Sequence, residues 1–276
     1  MLAQKDLLNG DTGYVSHLWN PGVHKIDLKN KDYSGFINMT SQGCIGTYGI
    51  VYSPINKHLF VECRKKMRNS IVQMKVPNGN MTSRKILGSP FVSPDGRYII
   101  MLYAPVNETA NKLLDSRMNV LEVATDRKYP EIRIPGGVSR VVFYAKKSGS
   151  YYAFVTLKYT NKIAVVDLDL AKNGISSDVL TYIDDVGDAN TGTHAASRGI
   201  FSGGKWIVSP AFKSKIVVVI DADTRKVHGK VGNVNGGGFG VWVDDESNGG
   251  SGLNTAHMIV LTGIMAVLSL LIMHKM

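Results

Sequence analysis

A degenerate internal repeat constrains this chain more than any other feature of its sequence. In the clearest copy, residues 88–134, an apolar segment enters the turn Ser93–Gly96 and a second apolar segment follows. Proline fixes φ, aspartate accepts local hydrogen bonds and glycine tolerates positive φ, so this turn predicts a β-hairpin. Four strands are predicted in this copy, at 90–92, 98–101, 120–123 and 131–134.

The same plan occurs in other parts of the chain. Three further copies are read in residues 49–74, 139–169 and 198–227. Residues 23–28 resemble the back half of an earlier copy, and residues 239–243 the opening strand of a later one. Repeats of roughly 40–60 residues without a long amphipathic helix are typical of propeller blades. The sequence therefore predicts an all-β propeller with about four full blades plus partial blades.

Three stretches of sequence carry a family resemblance. SPDGRYIIMLY, NKIAVVDLD and SKIVVVIDADTRKVHGKV resemble the repeats of YVTN and lactonase-like β-propellers, over residues 15–245. GIVYSPINKHLFVEC followed by GSPFVSPDGRYII is similar to the C-terminal propeller-like region of follistatin-like extracellular proteins. The resemblance implies a propeller, with a lactonase-like hydrolase as one alternative function.

The repeat count leaves the closure of the ring open. About five blades are fewer than these families use, and an unclosed propeller leaves a sheet edge or face uncovered. The chain is therefore expected to form a small closed ring, to complete a ring with another chain, or to be a truncated product. The first ten residues lack the apolar core of a secretory signal, which favours truncation.

The C-terminal part of the chain differs sharply from the repeats. After the repeat region, 1–245, come a small and polar linker, 246–257, and a hydrophobic tail, 258–276. Its apolar run of about 16 residues would span about 24 Å as a helix, against about 30 Å of hydrocarbon. This pattern matches a glycosylphosphatidylinositol (GPI) signal, with Ser247 as the attachment residue and Asn248 as the second candidate. The alternatives are a retained C-terminal hydrophobic helix in a single-pass scaffold and a buried core helix.

Three N-glycosylation sequons fall where the repeat plan predicts loops or strand ends. They begin at Asn38, Asn80 and Asn107. Acceptor asparagines must be exposed to be modified, and these positions satisfy that condition. Together with the tail they predict a glycoprotein on the extracellular face of the cell membrane.

The two cysteines, Cys44 and Cys63, form one disulfide or stay free. If Ser53 pairs with His58 across the hairpin turn, regular antiparallel register places Tyr48 opposite Cys63. A disulfide would then require the chain before Tyr48 to fold back. The sequence leaves both states open.

The charge balance favours acidic partners. The chain has 32 Lys and Arg against 22 Asp and Glu, a formal charge of +10. Its densest basic run, Arg64, Lys65, Lys66 and Arg68, is the candidate polyanion-binding segment, for a sulfated glycan or an acidic protein face. A solvated loop is the simpler interpretation of this run. No recognised nucleic-acid module accompanies the charge, so a nucleic-acid partner is not expected.

No sequence signature of catalysis accompanies the repeats. The nucleophile elbow, the zinc-protease helix and the phosphate-binding glycine loop are missing. Asp184, Asp185 and Asp188 offer oxygen atoms for Ca²⁺ but lack the closing glutamate of an EF-hand, and His194 follows alone. We therefore expect no catalytic residue, no metal and no cofactor, and a binding protein rather than an enzyme.

Overall fold

Six antiparallel sheets follow one another along the chain in the computed structural model. The structure describes residues 8–9, 11–66, 69–77, 79–104, 116–174, 176–187, 199–211, 214–234, 239–243 and 257–261. Each sheet is built from strands that are consecutive in sequence, joined as antiparallel neighbours. This radial series of small meandering sheets is the propeller plan that the repeat predicts.

The first three sheets contain thirteen strands. The first sheet is β1 (Leu8–Asn9), β2 (Thr12–Ser16), β3 (Gly22–Asp27) and β4 (Asp32–Asn38). The second is β5 (Gly46–Ser53), β6 (His58–Arg64), β7 (Ser70–Lys75) and β8 (Met81–Arg84). The third is β9 (Ser89–Val92), β10 (Tyr98–Tyr103), β11 (Arg117–Glu122) and a divided outer strand, β12 (Arg127–Lys128) and β13 (Ile132–Arg133).

The remaining strands form three further sheets. The fourth is β14 (Val138–Ala145), β15 (Tyr151–Leu157), β16 (Lys162–Asp167) and β17 (Leu180–Asp184). The fifth is β18 (Phe201–Gly203), β19 (Trp206–Ala211), β20 (Ile216–Asp221) and β21 (Lys226–Val231), and the sixth is β22 (Phe239–Val243) with β23 (His257–Leu261). Two short helices are described, the 3-10 turn Thr40–Gln42 and α1 (Leu168–Ala171).

The hydrophobic core consists of layers between consecutive sheets. In β10, Ile99 and Met101 pack toward the second sheet, and Ile100 and Leu102 pack toward the fourth. Since successive side chains of a strand point to opposite faces, a strand covered on both faces is continuously apolar. This explains why the middle strands of the repeat lack the polar alternation of a half-exposed sheet.

A recurring acidic turn closes the hairpins of the outer strands. The backbone N–H of Asn30 donates to Asp27 at 2.9 Å, and that of Thr224 donates to Asp221 at 2.9 Å. These bonds hold the pKa of the Asp27 and Asp221 carboxyls below their usual value. The acidic residues that end β3 and β20 are therefore turn residues with a structural role.

The first sheet is more complete than the repeat pattern indicates. Residues 23–28 were expected as a fragment, yet β1 to β4 form a four-stranded sheet. Its outer strand β4 lacks a continuous apolar run, which concealed it from pattern reading. The face of this sheet that points away from the second sheet carries Leu28, Tyr33 and Phe36, which are 41%, 55% and 39% exposed.

The hydrophobic tail begins in a strand. His257–Leu261 pairs antiparallel with Phe239–Val243, where the sequence predicts the start of a helix at residue 258. Residues 262–276, which contain the rest of the predicted helix, lie outside the described residues. Among the residues that are described, no helix is long and apolar enough to cross a membrane.

The strands place their connections at two ends of the propeller. Residues 17–21, 39–45 and 65–69 join strands at one end, called here the loop end, and residues 28–31, 54–57 and 146–150 join strands at the opposite end. In a propeller the first strands of all blades run in the same direction, so corresponding loops of different sheets share an end. Side chains from distant parts of the sequence therefore meet at the loop end.

The layered core makes a direct prediction about stability. Phe154 is fully buried between the fourth and fifth sheets, so Phe154→Ala should lower the free energy of unfolding by about 3–5 kcal/mol. Ile55→Ala removes a half-exposed side chain in a turn and should cost about 0.5 kcal/mol or less. Chemical denaturation measures both changes. Equal effects of the two substitutions would contradict the layered core.

Candidate functional site

Three segments meet at the loop end between the first two sheets. They are the turn 17–20, the start of β5 at residues 45–47, and the end of β6 with its loop, 63–66. The side chains that this region presents at the surface, called here the Trp19 surface, belong to Leu18, Trp19, Ile45 and Lys66, which are exposed, and to Arg64 and Lys65, which are partly buried.

Thr47 fixes the turn 17–20 on the second sheet. The backbone N–H of Thr47 donates to the His17 carbonyl at 3.0 Å, and the N–H of His17 donates to the Thr47 hydroxyl at 3.0 Å. The same hydroxyl donates to the Gly22 carbonyl at 2.7 Å. Thr47 is fully buried, so these bonds are shielded from water and hold the turn firmly.

Gly46 allows the two sheets to approach closely at this site. A Cβ at position 46 would lie 2.0 Å from the Leu18 carbonyl oxygen and 2.9 Å from its carbonyl carbon. Both are backbone atoms and could yield only if the whole turn moved. The position of Trp19 therefore depends on a glycine that is 27 residues further along the chain.

A disulfide joins Cys44 and Cys63 beside this contact. The register of β5 and β6 shifts between Thr47 and Ile50, so Cys63 faces Thr47 and not Tyr48 as regular pairing predicts. This bulge brings the chain before β5 back toward β6, where the Ile45 N–H donates to the Arg64 carbonyl at 2.8 Å. The Cα atoms of the two cysteines are 5.3 Å apart.

The Trp19 surface combines an exposed indole with cations. The Arg64 guanidinium lies 4.9 Å from the centroid of the Trp19 ring, and its Nη1 donates to the Leu18 carbonyl at 3.3 Å. Lys65 Nζ donates to the Ser83 hydroxyl at 3.2 Å, and Lys66 is exposed. A cation over an indole face is attracted by the ring quadrupole, so Arg64 and Trp19 hold each other in place.

The cations of the Trp19 surface differ in their partners from those basic residues that pair with carboxylates. Elsewhere Lys146 lies 2.8 Å from Asp167, Lys205 lies 3.1 Å from Asp221, and Arg117 lies 2.9 Å from Glu131. Within the described part of the chain, no carboxylate lies within ion-pair distance of Arg64, Lys65 or Lys66. Their charge is available to a ligand.

A second pair of cations lies at the loop end of the fourth sheet. Lys158 follows β15, and Arg140 lies across from Thr156, whose hydroxyl accepts from the Arg140 N–H at 3.1 Å. Burial and the neighbouring Arg140 charge lower the pKa of Lys158.

The other candidate residues from the sequence are either exposed beside a strand or outside the described part of the chain. Asn38 ends β4 and accepts the Thr40 N–H at 2.9 Å, and Asn80 precedes β8; both are exposed. The following predicted residues lie outside the described part of the chain: Arg68, Asn107, Asp188, His194, Ser247 and Asn248. No glycosylation or lipid attachment is tested by these positions.

The acidic loop after β17 is engaged in ion pairs. Lys162 lies 2.8 Å from Asp184, and Lys230 lies 2.6 Å from Asp185. The Lys230 contact lowers the pKa of the Asp185 carboxyl. The described residues contain no group of three or more potential metal ligands. The Asp184 pair therefore lies within the fourth sheet, and the Asp185 pair joins that sheet to β21 of the fifth.

Sequence reasoning missed Trp19 as a site residue. The segment His-Leu-Trp-Asn-Pro-Gly carries a turn signal, so a large aromatic residue within it is expected at the surface. Its proximity to Arg64 depends on the contact between two sheets. That contact has no local sequence signal.

Comparison with known proteins identifies the fold and no family. No protein-family model matches the chain. Among solved structures, the chain is similar to dihydro-heme d1 dehydrogenase NirN in complex with DHE, with 15% identity, a TM-score of 0.59, and coverage of 80% of this chain and 45% of that one. It is also similar to hydrazine synthase of Kuenenia stuttgartiensis (16% identity, TM-score 0.55, 78% and 62%).

A third similar structure is apo AztD from Citrobacter koseri, with 16% identity, a TM-score of 0.53, and coverage of 83% of this chain and 58% of that one. The chain spans about half the length of the solved chains that it matches. Identity at this level shows the fold alone. The protein is a β-propeller.

The close approach at Gly46 makes a second prediction. Gly46→Ala should lower the free energy of unfolding by about 1–3 kcal/mol, because the new methyl group meets the Leu18 carbonyl. Gly229→Ala is the matched control, since a Cβ at 229 has no neighbour within 4 Å and position 229 also lies in a strand. Denaturation curves measure the two effects. A neutral Gly46→Ala variant would contradict the close contact.

Proposed function

We propose that this protein is a non-enzymatic propeller of the cell exterior that binds a polyanion through the Trp19 surface. The ligand is a sulfated glycan or an acidic protein face. The observation that carries the proposal is the run Arg64, Lys65 and Lys66, which has no carboxylate partner among the described residues and in which Arg64 lies over an exposed tryptophan.

The composition of the Trp19 surface supports a binding role. Tryptophan and arginine are enriched at the centres of binding surfaces, where they contribute most of the affinity. Guanidinium and ammonium groups form short, charge-assisted hydrogen bonds with sulfate and carboxylate oxygens. The formal charge of +10 attracts anionic ligands over longer distances.

Two further observations support an extracellular location. The Cys44–Cys63 disulfide is typical of oxidising compartments, and it lies next to the proposed binding surface. The sequon residues Asn38 and Asn80 are exposed, as glycan acceptors must be. We also propose that the repeats are related to those of YVTN proteins, which they resemble in sequence.

Polyanion binding is tested by removing charge at one end of the propeller at a time. Arg64→Gln with Lys66→Gln removes two cations from the Trp19 surface, each contributing about 0.5–1 kcal/mol in exposed contacts. Binding to immobilised heparin should weaken by about five- to thirtyfold. The remaining binding should depend less on salt, because fewer charges contribute.

The matched control is Lys29→Gln with Lys147→Gln, which removes the same charge from exposed positions at the opposite end. This control should bind as the unaltered protein does. Equal weakening in both double variants would show that net charge alone governs binding, and it would overturn the proposed surface.

Membrane attachment is a separate proposal. We propose that the C-terminal segment is a GPI signal processed at Ser247, or at Asn248, which leaves the propeller on the outer face of the membrane. Processing there would remove His257–Leu261, the partner of β22. Protein made in animal cells with a supplied signal peptide should then be released by phosphatidylinositol-specific phospholipase C. Protein that stays on the membrane after this treatment would overturn the GPI proposal.

A further inference from the structure

Trp19 is the most exposed large apolar side chain among the described residues, at 71%. Its neighbours in the Trp19 surface add apolar area, because Leu18 is 37% and Ile45 is 46% exposed. Single exposed apolar residues are common on protein surfaces, whereas a contiguous group rimmed by charges is typical of a ligand site. The indole therefore offers a flat apolar surface to a ligand.

The protein fixes the backbone beneath this indole before any ligand arrives. The turn beneath it is fixed by the Asn20 N–H, which donates to the His17 carbonyl at 3.1 Å. The Thr47 N–H donates to the same carbonyl, and the Thr47 hydroxyl accepts from the His17 N–H. The backbone N–H of Trp19 donates to His17 Nδ1 at 3.3 Å. A preorganised turn loses little conformational freedom on binding, so the contacts made there contribute more of their energy to affinity.

Arg64 lies over the ring, and Lys65 and Lys66 follow it directly in the chain. Arg64 bonds to the Leu18 carbonyl as well as stacking on Trp19. The Ile45 N–H fixes the Arg64 backbone, and Ser83 holds Lys65. A ligand ring that covers the indole can therefore reach a guanidinium or an ammonium group through a substituent. The substituent can lie on that ligand ring or on the next ring of the ligand.

We infer that the ligand of the Trp19 surface is a sulfated saccharide, with a sugar ring stacked on Trp19 and sulfate groups bound by Arg64, Lys65 and Lys66. Pyranose rings present a face of C–H groups that packs against an indole, whereas their sulfates lie at the rim. A flexible inorganic polyanion has no such face and would use the cations alone. This inference rests on the proposed polyanion binding and assigns the class of ligand.

The test compares three ligands on the full chain by calorimetry. They are a heparin hexasaccharide, the same hexasaccharide without sulfate, and inorganic polyphosphate of matched charge. Trp19→Ala should weaken binding of the sulfated hexasaccharide by about tenfold, the effect expected when a stacking contact is lost. It should change polyphosphate binding by less than about twofold, because the cations remain. Trp19→Phe should restore most of the saccharide affinity.

Tyr33→Ala is the matched control, since Tyr33 is an exposed aromatic residue of the first sheet outside the Trp19 surface. It should leave binding of all three ligands unchanged. The emission of Trp19 should also change on addition of the sulfated hexasaccharide.

Each outcome separates this inference from the proposed function. If neither the sulfated hexasaccharide nor polyphosphate binds, polyanion binding itself is wrong. If both bind and Trp19→Ala weakens them equally, Trp19 acts only by positioning Arg64, and the stacked sugar is wrong. If Trp19→Ala weakens neither ligand, the indole lies outside the binding surface and the saccharide inference is overturned.

Discussion

The structure depends on the apolar layers that consecutive sheets of the propeller form between them. A small four-stranded sheet is marginal alone, and it gains stability only when apolar layers cover it. In this protein the layers between the first five sheets supply that cover, and strands such as Tyr98–Tyr103 are apolar on both sides as a result. The same packing brings loops of neighbouring sheets into contact at the ends of the propeller.

The Trp19 surface is a consequence of this packing. The layer that joins the first two sheets includes Tyr14 and Val23 from one sheet and Tyr52 and Leu59 from the other. At the edge of the layer, Gly46 allows the Leu18 carbonyl to approach closely. The buried Thr47 hydroxyl forms hydrogen bonds with the backbone of the turn. The Cys44–Cys63 disulfide fixes the end of β6 to the chain before β5. The cations and the indole are then held side by side without any partner of opposite charge among the described residues.

The sequence predicted those features that are encoded locally. The turn Ser93–Gly96 and the strands around it form as the proline, aspartate and glycine indicate. The bulge between Thr47 and Ile50 could not be predicted, because it depends on how the second sheet meets the first. For the same reason the sequence identified Arg64, Lys65 and Lys66 as a basic run but did not bring Trp19 to them. The strand at His257–Leu261 was hidden within an apolar segment, where helix and strand give the same pattern.

The central claim is that ligand binding occurs at the loop end between the first two sheets, and amide hydrogen exchange tests it most directly. In the presence of a sulfated oligosaccharide, exchange should slow at residues 18–20, 45–47 and 64–66, the segments that form the Trp19 surface. Exchange at the turns of the opposite end, residues 28–31 and 146–150, should be unchanged. Protection confined to the opposite end, or spread evenly over both ends, would contradict the account.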